Sequence, residues 1–267
     1  MINPLKEVEV NGFILRHPRV NAGLKGMRIA QVTDPHMGRW VKARHLRQLV
    51  EFVNEREPAV VALTGDYVGY SKIDLDPCVE ALSHFDAPTY AVLGNHDHWA
   101  STEWSHRAFE KTGIRLLTNE NELLDWNGTK INIVGVDDAV TGHADVPKAF
   151  DGIEPEFFRL TLNHVPSIAW ECADAGADLI LSGHTHGFQF NIPRVTNALA
   201  ERFGTQLFAG PYRLGGAMLY ISRGLGSASW PWRIRAQPEL SFFELQPGET
   251  PELEWVEGGV MKVSHRR

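Results

Sequence analysis

Cysteine is scarce in this chain. Its 267 residues include two, Cys78 and Cys172, far apart and outside any paired motif. That count argues against a disulfide framework and points to a reducing compartment. Both read as small buried apolar side chains. Long hydrophobic runs are missing too: nothing approaches the roughly 20 consecutive apolar residues of a membrane-spanning helix. The stretch from Met1 to Val10 mixes Asn3, Lys6, Glu7 and Glu9, without the apolar centre of a signal peptide. A cytoplasmic protein is the expectation. An excess of basic residues is also lacking. Lys and Arg number 26 against 33 Asp and Glu, a formal charge of -7, which argues against nucleic acid as a partner. No repeat, low-complexity tract or long linker breaks the sequence, so residues 1–267 are expected to form a single domain. With 43% hydrophobic residues, a chain of this size can bury about 75% of its unfolded surface around one core.

What is present alternates between two periods. Met27 to Val32 reads as a strand. Leu46, Leu49, Val50 and Val53 recur at helical spacing ahead of Pro58, and the unbroken apolar run Ala59 to Leu63 suits a strand buried on both faces. Pro77 to Phe85 reads as a helix, Thr89 to Leu93 as a strand and Trp104 to Thr112 as a helix. Further on, Glu122 to Leu124 and Lys130 to Val136 flank a turn at Asn127-Gly128. Arg159 to Leu162, Leu179 to Leu181, Met218 to Ile221 and Leu240 to Leu245 are further strands, and Ser167 to Ala175 is a helix. Phe188 to Gly216 lacks periodicity and reads as loop. Early alternation and later hairpins predict an α/β domain of two packed sheets covered by helices.

Polar blocks follow the strand candidates: Asp34-Pro35-His36, Gly65-Asp66, Gly94-Asn95-His96-Asp97, Asn163-His164 and Gly183-His184-Thr185-His186. Side chains at the carboxyl ends of neighbouring strands converge on one crevice, where open α/β sheets place ligands. Singly, Asp-x-His or Gly-Asp is commonplace; the ordered set is not. Its donors are carboxylates, an amide oxygen and imidazoles, suited to Mn, Fe or Zn. One aspartate has two oxygens and can bridge two cations. Ions about 3.5–4 Å apart can clamp the attacking and leaving oxygens of a phosphoryl displacement.

This ordered set resembles the calcineurin-like metallophosphoesterase superfamily, over about residues 27–245. The resemblance implies a four-layer α/β/β/α sandwich of two mixed β-sheets flanked by helices, with two divalent transition-metal ions at the strand ends. It assigns one ion to Asp34, His36, Asp66 and His186, and the other to Asp66, Asn95, His164 and His184, with Asp66 as the bridge. His96 takes the position that protonates the leaving oxygen, and Asp97 is expected to orient it. The implied reaction is hydrolysis of a phosphodiester or pyrophosphate in a nucleotide or lipid-linked substrate, by attack of a hydroxide bridging the ions. Gly65-Asp66-Tyr67-Val68, Gly135-Val136-Asp137-Asp138, Tyr212 to Gly216 and Leu219 to Gly226 are similar to a bacterial branch that includes UDP-diacylglucosamine pyrophosphatases. Phe188 departs from that branch, where a glycine is usual, and bears on the substrate. Gly69 stands where purple acid phosphatases have an iron-binding tyrosine, which disfavours that branch.

A phosphomonoesterase or protein phosphatase would use the same ions, and a non-catalytic scaffold could retain the fold; the complete motif set disfavours the scaffold. Trp230 and Trp232, among Arg223, Arg233 and Arg235, suit peripheral contact with a membrane, against a default of core packing. His98 is expected in an exposed loop, and His45, His84, His106 and His143 at the surface. Asp137 and Asp138 fit either the cleft or a hairpin turn. Arg39 reads as solvated.

Overall fold

The computed structural model describes residues 5–189, 207–227 and 230–264. The chain runs through β1 (Glu7–His17), β2 (Arg28–Val32), α1 (Ala43–Asn54), β3 (Val60–Thr64), α2 (Leu75–Leu82), β4 (Thr89–Val92), α3 (Asn95–Glu110) and β5 (Arg115–Leu116). It continues through β6 (Glu120–Trp126), β7 (Thr129–Gly135), α4 (Val146–Ala149), β8 (Phe158–Leu162), α5 (Ala169–Asp174) and β9 (Leu179–Ser182). Four more strands follow: β10 (Gly210–Leu214), β11 (Ala217–Ile221), β12 (Glu239–Pro247) and β13 (Glu252–Lys262). One sheet has seven strands in the order β13-β1-β12-β2-β3-β4-β5, and the other six in the order β10-β11-β9-β8-β7-β6.

Both sheets are mixed. β2, β3 and β4 pair in parallel, as do β7, β8 and β9, while β12 meets β2 in antiparallel register. Strand periodicity sorts their side chains into layers. Val60 and Ala62 of β3 face the second sheet, where Phe158, Leu160, Leu162, Leu179 and Leu181 bury against them. Val61 and Leu63 point the other way, into a cluster with Leu46, Leu49, Val50 and Val53 of α1. On the far side Ile180, Val134 and Ile221 pack with Ala169 and Cys172 of α5. The result is helix, sheet, sheet, helix. Buried Gln31 ties the sheets together beneath the site, its amide donating to Thr64 Oγ1 at 3.1 Å and to Ser182 O at 3.0 Å. Asn127 and Gly128 turn with φ of 53° and 79° between Trp126 and Thr129, the left-handed pair that a two-residue hairpin needs.

Several expectations change. α3 begins at Asn95, well before Trp104, with extended backbone at Ser101 interrupting it; the Gly94 to Asp97 block therefore opens a helix. β10 lies inside the stretch read as loop, and residues 190–206 of that stretch fall outside the described residues. β1 and β13 were not foreseen, because charged side chains interrupt β1 and nearly all of β13 is exposed at the sheet edge. His45 is buried on the apolar face of α1, where its Nδ1 accepts from Lys42 N–H at 3.3 Å. It lies one turn before Leu49, a spacing that carried the signal. Cys78 and Cys172 are free and buried.

Candidate metal centre

Each polar block sits where a strand of the adjoining sheets ends: Asp34 after β2, Asp66 after β3, Asn95 after β4, His164 after β8 and His184 after β9. The chain must leave these strands sharply to aim the side chains together. Asp34, His36, Asp66, His184 and His186 accordingly take left-handed φ of 51°, 44°, 57°, 69° and 52°. Such a conformation carries about 1–3 kcal/mol of strain per residue and persists only where the surroundings enforce it. Gly65, at φ +91°, allows the closest approach: a Cβ there would lie 2.7 Å from His164 Nδ1 and 2.8 Å from Gly94 N.

The side chains converge around Asp66. Its Oδ2 lies 3.4 Å from His36 Nε2 and 3.2 Å from His164 Nε2, while its Oδ1 accepts the His96 N–H at 2.9 Å. His186 Nε2 stands 3.0 Å from His36 Nε2 and 3.3 Å from Asp34 Oδ1. On the other side His184 Nδ1 is 3.3 Å from His164 Nε2. Asn95 Oδ1 is buried without a hydrogen-bond partner among the described residues. The donor atoms of Asp34, His36 and His186, and those of Asp66, His164 and His184, each lie within 4.8 Å of one another. A third such trio, His36, Asp66 and His96, shares His36 with the first and Asp66 with the second, so the two sides adjoin at the Asp66 carboxylate. Oxygen and imidazole donors in this number, with a buried amide oxygen left unpaired, fit divalent ions.

Charge in the site follows from burial and pairing. Burial pushes the Asp66 carboxyl up, but His164, through charge and hydrogen bond, with His36 and His96, outweighs it and holds the group well below its ordinary value. Burial lowers the His164 imidazole in turn, yet its attraction to Asp66 wins and raises it to about 10. Asp34 is raised to about 6 by burial and by the charge of Asp66, with His164 pulling back. Burial lowers His36 and His184 to about 4 each. Those two rings are neutral at pH 7, the state in which an imidazole can ligate.

His96 is half-buried. Its Nδ1–H donates to the carbonyl of Gly69, which leaves Nε2 available to substrate. Tyr70 and Trp99 flank the ring at centroid distances of 4.8 and 4.9 Å; they are 65% and 58% exposed. Asp97 does not orient His96, contrary to the sequence-based expectation. Its Oδ2 accepts from Gly94 N at 2.9 Å and Asp66 N at 2.8 Å, and its Oδ1 from Tyr67 N at 2.8 Å and Val68 N at 3.4 Å. A carboxylate three residues after Gly94 caps the helix and pins the loop bearing Asp66 at once, which claims both of its oxygens. Burial, together with the charge of Asp66, pushes the Asp97 carboxyl up to about 7.

His98 is a second correction. It is buried, with Nε2–H donating to Asp137 Oδ1 at 2.9 Å and its ring stacked on exposed His143 at 4.2 Å. The helical start at Asn95 turns it inward. Asp137 and Asp138 are both buried. Arg39 is exposed and lies over the Trp40 ring at 4.6 Å. Trp230 and Trp232, whose default was core packing, are 60% and 51% exposed and stack on each other at 5.9 Å. Arg233, unassigned from the sequence beyond its neighbourhood, reaches His186 Nδ1 at 3.0 Å.

With this geometry in hand, comparison with known proteins is decisive. Residues 27–188 match the calcineurin-like phosphoesterase family. The chain belongs to that family. Its members use divalent metal ions, and this chain is a metal-dependent phosphoester hydrolase. It is 30% identical to the phosphodiesterase YaeI of Escherichia coli over 82% of each chain. It is 26% identical to the UDP-2,3-diacylglucosamine pyrophosphatase LpxG of Chlamydia trachomatis over 84% of each chain. Among solved structures, a dimetal phosphatase from Danio rerio matches with a TM-score of 0.54 at 11% identity, covering 90% of this chain and all (100%) of the other. That likeness speaks to the fold, and it agrees with the two sheets and their flanking helices. No helix among the described residues is long and apolar enough to cross a membrane.

Proposed function

We propose that this metallophosphoesterase hydrolyses a phosphodiester or pyrophosphate bond in a nucleotide or lipid-linked substrate. Asp34, His36, Asp66 and His186 would hold one ion, and Asp66, Asn95, His164 and His184 the other, with Mn, Fe or Zn as the fitting metals. The observation that carries this reading is the position of Asp66 Oδ2, within 3.4 Å of His36 Nε2 and 3.2 Å of His164 Nε2. One oxygen thus faces both donor sets. When bound, the ions supply a water of lowered pKa and positive charge for the phosphoryl oxygens.

The remaining work falls to the chain. Asp66 is ionised by its imidazole neighbours, so it meets a cation without first losing a proton. The Gly69 carbonyl accepts from His96 Nδ1–H, so in the imidazolium form the second ring proton sits on Nε2, the group that protonates the leaving oxygen, a role typically worth about 10²–10⁴-fold. Asp97 keeps the Asp66 loop in register. Tyr70 and Trp99, exposed on either side of His96, present flat apolar surface where the leaving group departs. That setting favours an organic leaving group with planar or apolar bulk.

Diesterase and pyrophosphatase relatives support cleavage between two substituents in preference to removal of a terminal phosphate. The test is turnover of bis(p-nitrophenyl) phosphate against p-nitrophenyl phosphate, both with Mn²⁺ added. A higher kcat/KM on the diester is expected. A clear preference for the monoester overturns the diesterase reading, and no turnover of either favours a scaffold. The exposed Trp230 and Trp232 pair further supports contact with the headgroup region of a bilayer at its cytoplasmic face.

A further inference from the structure

Five polar blocks at strand ends build the metal centre, and the second sheet carries one more. β7 runs parallel to β8 and pairs Gly135 with Leu162, so Asp137 and Asp138 leave its end at the level where Asn163 and His164 leave β8. Asp138 lies close enough to His184 for its charge to act on that ring. His98 comes one turn after Asn95 on α3, a spacing that puts the two on one helix face. Its Nε2–H donates to Asp137 Oδ1 at 2.9 Å. The loop after β7 is thereby drawn against the start of the helix that carries Asn95 and His96.

That loop fixes one exposed side chain, His143. Its backbone N–H donates to Asp138 O at 2.9 Å, and its carbonyl accepts from Asn119 Nδ2 at 2.7 Å. Asn119 Oδ1 also accepts from Asp137 N and Asp145 N, at 3.0 and 2.9 Å, which ties the loop at both ends. The ring of His143 lies flat on His98, with 4.2 Å between centroids and 7° between planes. An exposed side chain ordinarily turns between rotamers. This one is held before any ligand arrives, which lowers the entropy cost of a contact.

Its hydrogen-bonding sense is set as well. Thr141 Oγ1 donates to Asp138 Oδ2 at 2.7 Å, and the same oxygen lies 2.8 Å from His143 Nδ1. With its hydrogen given to the carboxylate, the hydroxyl accepts from Nδ1–H, and the neutral ring keeps a lone pair on Nε2. Among the described residues nothing bonds to that nitrogen.

We propose that His143 Nε2 accepts a ribose hydroxyl of the substrate, next to the phosphoryl group held at the metal centre. A lone pair suits an alcohol and repels the oxygens of a phosphate. An acyl chain has no donor to offer it. A ribose esterified to phosphate places hydroxyls a few bonds from phosphorus, within reach of a loop that borders Asn95. The inference rests on the diesterase reading above and narrows its substrate to a nucleotide.

The test uses the full-length chain with Mn²⁺ and two diesters, p-nitrophenyl uridine 5′-phosphate and its 2′,3′-dideoxy counterpart. They share leaving group and base and differ only in the hydroxyls. The wild type is expected to favour the ribose form in kcat/KM by about 3- to 10-fold, the scale of one hydrogen bond between uncharged groups. His143→Phe keeps a ring on His98 but offers no acceptor, and should bring the ratio close to one by slowing the ribose substrate. Thr141→Val should shrink the ratio, because Nδ1–H loses its acceptor, and Thr141→Ser should restore it. General damage slows both substrates alike and leaves the ratio standing. A wild-type ratio of one, or a full ratio in His143→Phe, would overturn the contact. Should His143→Phe not fold, an undiminished ratio in Thr141→Val does the same. If the wild type turns over neither diester, the diesterase reading falls by itself. Calorimetric binding of uridine 5′-monophosphate against its dideoxy form then decides the contact, and equal affinities sink it.

Discussion

Replacing Asp97 by Asn separates two accounts of a residue that adjoins the general acid. If Asp97 oriented His96, the amide variant would lose turnover and keep its stability. The structure predicts a different loss. Oδ2 receives Gly94 N and Asp66 N at 2.9 and 2.8 Å, while Oδ1 receives Tyr67 N and Val68 N at 2.8 and 3.4 Å. Whichever way an asparagine is turned, its NH₂ must face a pair of backbone N–H donors, in a place fully closed to water. A buried donor left unsatisfied costs about 1–3 kcal/mol. Two of them come to about 2–6 kcal/mol, a large part of the roughly 5–15 kcal/mol that holds a typical domain together. The 3.4 Å bond to Val68 is weak, which places the lower half of that range on the Oδ1 side. Urea denaturation at pH 8 is the assay, chosen because burial raises this carboxyl to about 7 and at pH 8 it is mostly ionised. A midpoint shift equivalent to at least about 2 kcal/mol is expected, with reduced uptake of Mn²⁺ because the Asp66 loop loses its anchor. A variant within about 0.5 kcal/mol of wild type, as unremarkable surface substitutions are, refutes the reasoning.

Other substitutions divide the site by role. His96→Ala should retain both ions by elemental analysis yet lose about 10²–10⁴-fold in kcat; loss of bound metal would mean that His96 is a ligand. Asp66→Asn should impair loading of both ions together, and undiminished metal content with wild-type turnover would remove it as the bridge. Trp230→Ala/Trp232→Ala should reduce co-sedimentation with anionic vesicles, and identical partitioning of the two proteins ends the membrane proposal. For the reaction itself, Mn²⁺-supported turnover of the diester substrate should exceed that of the monoester.

The local pattern of residues carried much of this protein. Uninterrupted apolar runs such as Ala59 to Leu63 announce strands covered on both faces, and the matching register of Leu46, Leu49, Val50 and Val53 announces the helix that covers one of them. Polar blocks immediately after such strands identify the converging loops, because a strand's end has nowhere to aim except the shared crevice. Contacts that depend on distant backbone were beyond its reach. No spacing reveals that the oxygens of Asp97 serve amides at Gly94, Asp66, Tyr67 and Val68, or that the Gly69 carbonyl takes over the orienting of His96. β1 and the edge strand β13 escaped for a related reason: β1 pairs with β12 on one side and β13 on the other, more than two hundred residues along the chain, so pairing compensates for weak local patterning. Arg233 is the sharpest case. Its charge was plain in the sequence, but only the fold sets its donors against a histidine 47 residues away.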